Sequence, residues 1–512
     1  MKKLTKLALA TILGLGLSGT AQAVNLNPDG LGQVLFYPYY TVNGDNTTLI
    51  SVVNSTEDAK AVKVRFLEGQ NSREVLDFNL YLSAEDVWTG AIVNVKGTPT
   101  LFINDTSCTS PYLYPAGKQE FLTFALDDGG STDISRTTEG HVEIIEMGTV
   151  VGDYADYVTH TTTILDDEGE EIEVSPAVPA DCDAINESWT GPNGEWFDDP
   201  TVDVLPPSGG LFGGISIINV AKGTLYSYSA VAINGFADED VDIEDLHQVP
   251  GTVLPSLNSG NVKTASIYLP NGDSYTSPPF ERGVDALTFV LMRDHLMNEY
   301  IIEDSLGAST EWVVTFPTKS FYVDEDVAPF DYDIIIGDDG KEIEVPIPNP
   351  PFTSVWDGKG ACETVLLDIW DREEQTLSID GDIPPVVSPA PPLVPELGLD
   401  LCYESTVIQF TKDTEASNIL DSSNKVYVDP ELLGFENGWA NLDMYQTVDE
   451  DGKYYFREGL GLAGLPAVGV SFSQYENNYL DITANYNSIF QHKSTRAVDC
   501  ANFNLPICDE ID

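Results

Sequence analysis

From residue 32 to residue 88, short runs of β-branched and aromatic side chains alternate with polar turns at a spacing of about ten residues. The runs are Gly32–Tyr40 (GQVLFYPYY), Thr48–Asn54 (TLISVVN), Ala61–Phe66 (AVKVRF) and Val75–Leu82 (VLDFNLYL). Ser55-Thr56-Glu57-Asp58 separates the second from the third, and Ser83-Ala84-Glu85-Asp86 leads from the fourth into Val87-Trp88. In AVKVRF every second residue is charged, the period-two signature of a half-buried strand with Lys63 and Arg65 turned to solvent. Gly140–Met147 (GHVEIIEM) reads as a further strand. Many short strands with frequent turns predict a mainly β chain built of Ig-like antiparallel β-sandwich domains. Only the architecture is inferred, because no Trp lies between Cys108 and Cys182.

The division expected is a β-sandwich domain over 24–206, with an acidic insertion at 161–206 pinned by Cys182, and a second β-rich domain over 207–512. In the second domain Ile215-Ser216-Ile217-Ile218-Asn219 echoes Ile50-Ser51-Val52-Val53-Asn54, as a duplication or as ordinary strand composition. Leu287, Val290, Leu291, Leu296 and Met297, bracketed by Gly283 and Gly307, predict a helix over 284–301. Glu311–Lys319 reads as a strand ended at Pro317. Six prolines between 384 and 395 mark a Pro-rich loop over 383–398, and Ala467–Tyr475 and Tyr479–Tyr486 supply closing strands.

The first 23 residues have the make-up of a cleavable leader. Lys2, Lys3 and Lys6 precede an apolar stretch from Leu7 to Leu17, and Ala21-Gln22-Ala23 suits a signal peptidase. The apolar stretch is shorter than the roughly 20 residues a membrane helix needs. A mature chain starting at Val24 is expected, periplasmic or extracellular. Six cysteines fit that setting: Cys108, Cys182, Cys362, Cys402, Cys500 and Cys508, with no CxxC spacing among them. Six cysteines allow fifteen pairings; sequence order favours 108–182, 362–402 and 500–508. No further apolar run is long enough for a membrane helix.

Charge excludes one large class of partners. The chain has 83 acids against 24 lysines and arginines, a net of −59, and removing the leader takes it to −62. Such a field repels nucleic acid and anionic lipid while keeping the protein soluble. With 42% hydrophobic residues the acidity is not that of a disordered chain. The partners expected are a second copy or a surface molecule. The stretches Gly32–Thr41 (GQVLFYPYYT), Ser72–Leu82 (SREVLDFNLYL) and Trp312–Lys319 (WVVTFPTK) resemble an uncharacterised family of exported bacterial proteins; the resemblance implies export and no activity.

Motifs that carry chemistry are few. No G-x-S-x-G elbow or Gly-rich phosphate loop is present, and Ser422–Lys425 matches S-x-x-K without the motifs that accompany it in β-lactamases. The histidines form no H-E-x-x-H; His141 and Glu143 share one strand face, and His295 sits beside Asp294. No catalytic or cofactor-binding residue is assigned. Carboxylate clusters lie at 166–171, 238–245, 338–339 and 449–451. The Asp-Gly pairs 339–340 and 451–452 predict hairpin turns. Weak surface Ca²⁺ binding is reserved for Asp238, Asp240, Asp242 and Asp245. The function expected is that of an exported, non-enzymatic protein with a surface-structural, adhesive or ligand-binding role. The alternatives are a secreted carboxylate-dependent, carbohydrate-active hydrolase, and a calcium-stabilised matrix or filament subunit. In the hydrolase, Trp88, Trp189, Trp196 and Trp312 would line a sugar cleft, although Trp88 and Trp312 read more simply as core.

Overall fold

The computed structural model describes residues 22–498, apart from 114–115, 166–170, 270–271, 273, 337–341, 375–396, 411–418, 429–434, 449–453, 457 and 480–481. The expected leader (residues 1–21 of it), Cys500, Cys508, and the Pro-rich loop up to residue 396 lie outside them. Val24, the residue expected to lead the mature chain, is buried and donates its N–H to Thr264 O at 2.8 Å.

The mainly β, antiparallel class expected from the strand pattern is the one adopted. In Ala59–Glu68, Val62, Val64 and Phe66 point into one core with Leu35, Ile50, Trp88 and Ile215. Ala59 and Ala61 point the other way, into a second core with Phe36, Ile145 and Met147. This strand lies inside an eight-stranded sheet, next to Glu139–Val150 on one side and Glu74–Leu82 on the other. A six-stranded sheet covers the first face: Thr224–Ser229, Leu211–Asn219, Thr47–Asn54, Val87–Val95, Thr98–Phe102 and Lys118–Glu120, in spatial order. These two sheets have more strands than the seven or nine of an immunoglobulin domain.

Both faces of AVKVRF are therefore buried, and the half-buried strand is corrected. Its charged side chains are neutralised across the sheet. Lys63 pairs with Asp77, and Arg65 bonds Glu74 at 2.8 Å and Glu143 at 2.7 Å. A buried charge is tolerated when it is paired and hydrogen-bonded, as these are.

The break expected at residue 206 falls inside both sheets. Leu211–Asn219 pairs with Thr47–Asn54, and Val231–Asn234 adds to Val34–Thr41. The first strands leave open sheet edges, and the returning chain pairs with their exposed N–H and C=O groups. Ile215 lies opposite Ile50, so the two echoing pentamers are sheet neighbours.

Residues 152–205 are more ordered than a loop. The helices Gly152–Val158, Cys182–Ser188 and Glu195–Asp198 cap the second face of the eight-stranded sheet, and His160–Leu165 pairs with Glu171–Pro179 as a hairpin. The disulfide Cys108–Cys182 forms as expected and ties this cap to the sheet edge. Trp196 stacks on Tyr154 at 4.0 Å and on Tyr81 at 5.3 Å, while Trp189 Nε1 donates to Tyr81 Oη at 2.7 Å.

The later half adds two five-stranded sheets. The front sheet runs Leu397–Leu401, Glu363–Asp371, Asn437–Asp443, His295–Ile301 and Lys493–Thr495; the back sheet runs Lys425–Val428, Ser405–Phe410, Ala308–Thr315, Val468–Tyr479 and Ile482–Gln491. The helix expected over 284–301 is Gly283–Leu291 alone; His295–Ile301 is a strand. Leu296 and Tyr300 face the core, and all seven of its residues pair with Asn437–Asp443, so tertiary pairing overrides the near-helical spacing. The disulfide Cys362–Cys402 closes the base of the two strands flanking the Pro-rich loop, as expected. The Asp-Gly turns themselves lie outside the described residues, but the strands around them pair antiparallel.

The two halves share a core. Trp312 and Val314 face the front sheet, whereas Val313, Val407, Val470 and Phe472 pack with the first sandwich. Buried carboxylates stitch the junction. Glu139 accepts from Tyr39 Oη at 2.6 Å, Ser422 Oγ at 2.6 Å and Ser423 N at 2.8 Å, which gives Ser422–Lys425 a structural role. Arg136 bonds both Glu68 and Asp128, at 2.7 to 2.9 Å. Arg73 reaches Asp324 at 2.8 Å.

Candidate binding face

Strand alternation in the front sheet builds this face. Val365, Leu367 and Ile369 of Glu363–Asp371 are buried against the back sheet, which turns Asp368 and Trp370 to the opposite side. In Asn437–Asp443, Ala440 and Leu442 point inward, and Trp439, Asn441 and Asp443 point outward. In His295–Ile301, Leu296 and Tyr300 point inward, and His295, Met297 and Glu299 outward.

Register then sets these side chains in rows across the strands. Trp370 lies opposite Trp439, and Trp439 opposite Glu299. The next row is Asp368, Asn441, Met297 and Lys493; the third is Leu366, Asp443, His295 and Thr495. The two indoles stack with centroids 4.1 Å apart and planes 11° from parallel. A cleft of about 400 Å³ opens at this end, lined by Glu299, Asp371, Arg372, Trp439, Tyr475 and Phe490. Trp439 is 39% exposed and Phe490 53%.

At the far row His295 lies between two carboxylates. His295 Nδ1 lies 3.1 Å from Asp294, and its Nε2 lies 3.9 Å from Asp443. Thr495 Oγ1 donates to Asp294 at 2.6 Å. The hydrogen bond to Asp294 raises the His295 pKa above its ordinary value, with the charges of Asp443 and Asp368 adding to it. Burial would raise Asp294, yet the bonds from His295 and Thr495 hold it below the usual carboxylate range. Asp368 is pushed up by burial and by the nearby Asp443 charge. The face thus offers aromatic surface at one end and titratable, hydrogen-bonding groups along its length.

Of the residues singled out in the sequence, His295 with Asp294 lies on this face and the others lie elsewhere. His141 is wholly buried against Phe36, with both ring nitrogens unbonded, and burial lowers its pKa to about 3. Glu143 bonds Arg65. Asp238 accepts from Asn261 Nδ2 at 2.6 Å and Asp240 N at 3.0 Å. Asp242 caps the turn Ile243–Leu246, while Asp240 and Asp245 are exposed. Among the described residues, no three or more His, Cys, Asp or Glu side chains gather as a metal site. Trp88, Trp196 and Trp312 are fully buried, which removes them from any sugar cleft, and Trp189 is nearly so, with an edge on a separate cavity beside Asp77 and Phe124. Trp370 and Trp439 were the tryptophans to find. The signal for them is the period-two pattern of ETVLLDIWD and NGWANLD, which sets each Trp on the side of its neighbouring Asp or Asn. The chain matches no family model, no curated protein and no solved structure, so what it does rests on the chemistry of these residues.

Proposed function

We propose that the protein is an exported, non-enzymatic β-sandwich protein that binds carbohydrate at the Trp439 cleft. The leader-like first 23 residues favour export, and two disulfides are compatible with an oxidising compartment. Among the described residues no helix is long and apolar enough to cross a membrane. A sugar ring offers an apolar C–H face and a rim of hydroxyls that both donate and accept. The cleft matches both needs, with indole and phenyl surface from Trp439 and Phe490, carboxylates from Glu299 and Asp371, and a guanidinium from Arg372. The observation that carries the reading is the exposed Trp439, held rigid by Trp370 and flanked by Glu299.

Calorimetric titration of neutral oligosaccharides into the protein and into Trp439→Ala tests it. Binding is expected, weakened at least about tenfold by the substitution. Tetramethylammonium is the competing probe, because acids beside an indole also suit an organic cation. Binding of that cation but of no oligosaccharide would overturn the carbohydrate reading. Release of reducing sugar would overturn its non-enzymatic part.

A further inference from the structure

The strands Thr47–Asn54, Val87–Val95, Thr98–Phe102, Leu211–Asn219 and Thr224–Ser229 contain no Asp, Glu, Lys or Arg. They are five of the six strands of one sheet, in a chain with 83 acids. Their inner face is core, with Ile50, Trp88, Ile92 and Ile217 buried. The outer face is an array of small, hydroxylic and apolar groups. One row across it reads Ser227, Ser216, Leu49, Ala91, Phe102. The hydroxyls of Ser216 and Ser227 bond each other at 2.7 Å, which leaves this polar pair satisfied without an outside partner. Leu49, Phe102, Phe212, Val87 and Leu225 are each exposed by 38% to 53%. A groove of about 790 Å³ runs along it.

We propose that two copies of the chain pack through this face, sheet on sheet, about a two-fold axis. Charge identifies the occupant. Two molecules of net charge −59 repel wherever carboxylates would meet, and the five strands bring none; the acids of this face lie at its margin, where Asp105 accepts from Thr89 N and Glu120 lies opposite Thr100. A basic partner drawn by the acidic field would find no acid to pair with in the middle of the face. The size is sufficient. Five strands spaced by about 4.8 Å, each contributing roughly 20 Å of length, cover on the order of 500 Å² per copy, or about 1,000 Å² for the pair. That lies at the lower end of specific interfaces. A two-fold arrangement also closes the assembly, so one apolar face leads to a dimer and not to a fibre.

Sedimentation velocity on the full mature chain reads this directly. A dimer is expected in 0.15 M salt, tightening in 0.5 M salt as the remaining repulsion is screened. Leu49→Asp with Ser216→Asp places like charges in the centre of the interface and is expected to give monomers with an unchanged far-ultraviolet spectrum. Phe102→Glu, at the end of the same row, provides an independent reading should the double variant fail to fold. Trp439→Ala is expected to remain dimeric, which separates this surface from the carbohydrate cleft. A monomer at both salt concentrations up to about 100 μM would overturn the proposal, since Kd values of physiological dimers lie well below that. Persistence of the dimer in folded Leu49→Asp/Ser216→Asp would overturn it as well.

Discussion

The second face of the eight-stranded sheet and the outer face of the front sheet start from similar material. Each carries acids, a histidine and an apolar or aromatic residue alternating along neighbouring strands. The first is sealed beneath the helices of 152–198, with Lys63 and Arg65 set against Asp77, Glu74 and Glu143. The second keeps Glu299, Asp368 and Trp439 at the surface. The difference lies in where the bases are. With only 24 lysines and arginines, the chain places Lys60, Lys63, Arg65 and Arg136 where acids must be dry, their side chains 0% to 8% exposed. Glu299 and Asp368 on the front sheet stay near water, which screens them and leaves them available to a ligand.

The comparison breaks most easily at the buried bases. Arg136→Ala leaves Glu68 buried without its cation and Asp128 with Arg73 alone at 3.4 Å, and is expected to cost about 3–5 kcal/mol in denaturant unfolding. Arg372→Ala on the open cleft should change stability by no more than about 0.5 kcal/mol. Equal effects would erase the distinction. The tryptophans sharpen it: Trp196→Ala in the sealed cap is expected to cost about 3–5 kcal/mol. Trp439→Ala should cost about 1 kcal/mol, the scale of an aromatic pair, while removing most of the ligand affinity.

Two pH effects are smaller, and both lower the stability of the wild type as pH rises. Glu404 is fully buried, and burial raises its pKa well above the ordinary value, against the opposing pull of Lys319, Ser320 N and Ser72. Its ionisation therefore opposes folding once pH exceeds the unfolded carboxyl pKa. Glu404→Gln should match the wild type near pH 4 and become progressively more stable than it as pH rises. The raised pKa of His295 acts in the same direction, here through a stabilising interaction that is lost. Its contribution is complete below the ordinary imidazole value and is lost as pH rises through the folded value. The advantage of wild type over His295→Gln should be largest at about pH 5 and shrink toward alkaline pH, as read from melting curves.

Much of this was legible in the residues. Short alternating runs located Val34–Thr41, Thr47–Asn54 and Ala59–Glu68, because side-chain period depends only on neighbours in sequence. Cys108–Cys182 and Cys362–Cys402 followed from proximity along the chain. What stayed hidden was set by distant partners. AVKVRF looked half-buried because Glu74, Asp77 and Glu143, which neutralise it, belong to other strands. Residues 295–301 looked helical because Asn437–Asp443, which claims them, lies far downstream. The boundary at 206 failed because strand edges left open early are closed by residues 211–234. Trp370 and Trp439 each alternate legibly, but their meeting depends on a register that no local pattern encodes.

The most direct measurement is a crystal structure of the protein with the tightest-binding oligosaccharide from the calorimetric titrations. A sugar ring lying flat on Trp439, with hydroxyls bonded to Glu299 and Arg372, is the expected result. A sugar bound anywhere else, with the Trp439 cleft filled only by solvent, would contradict it.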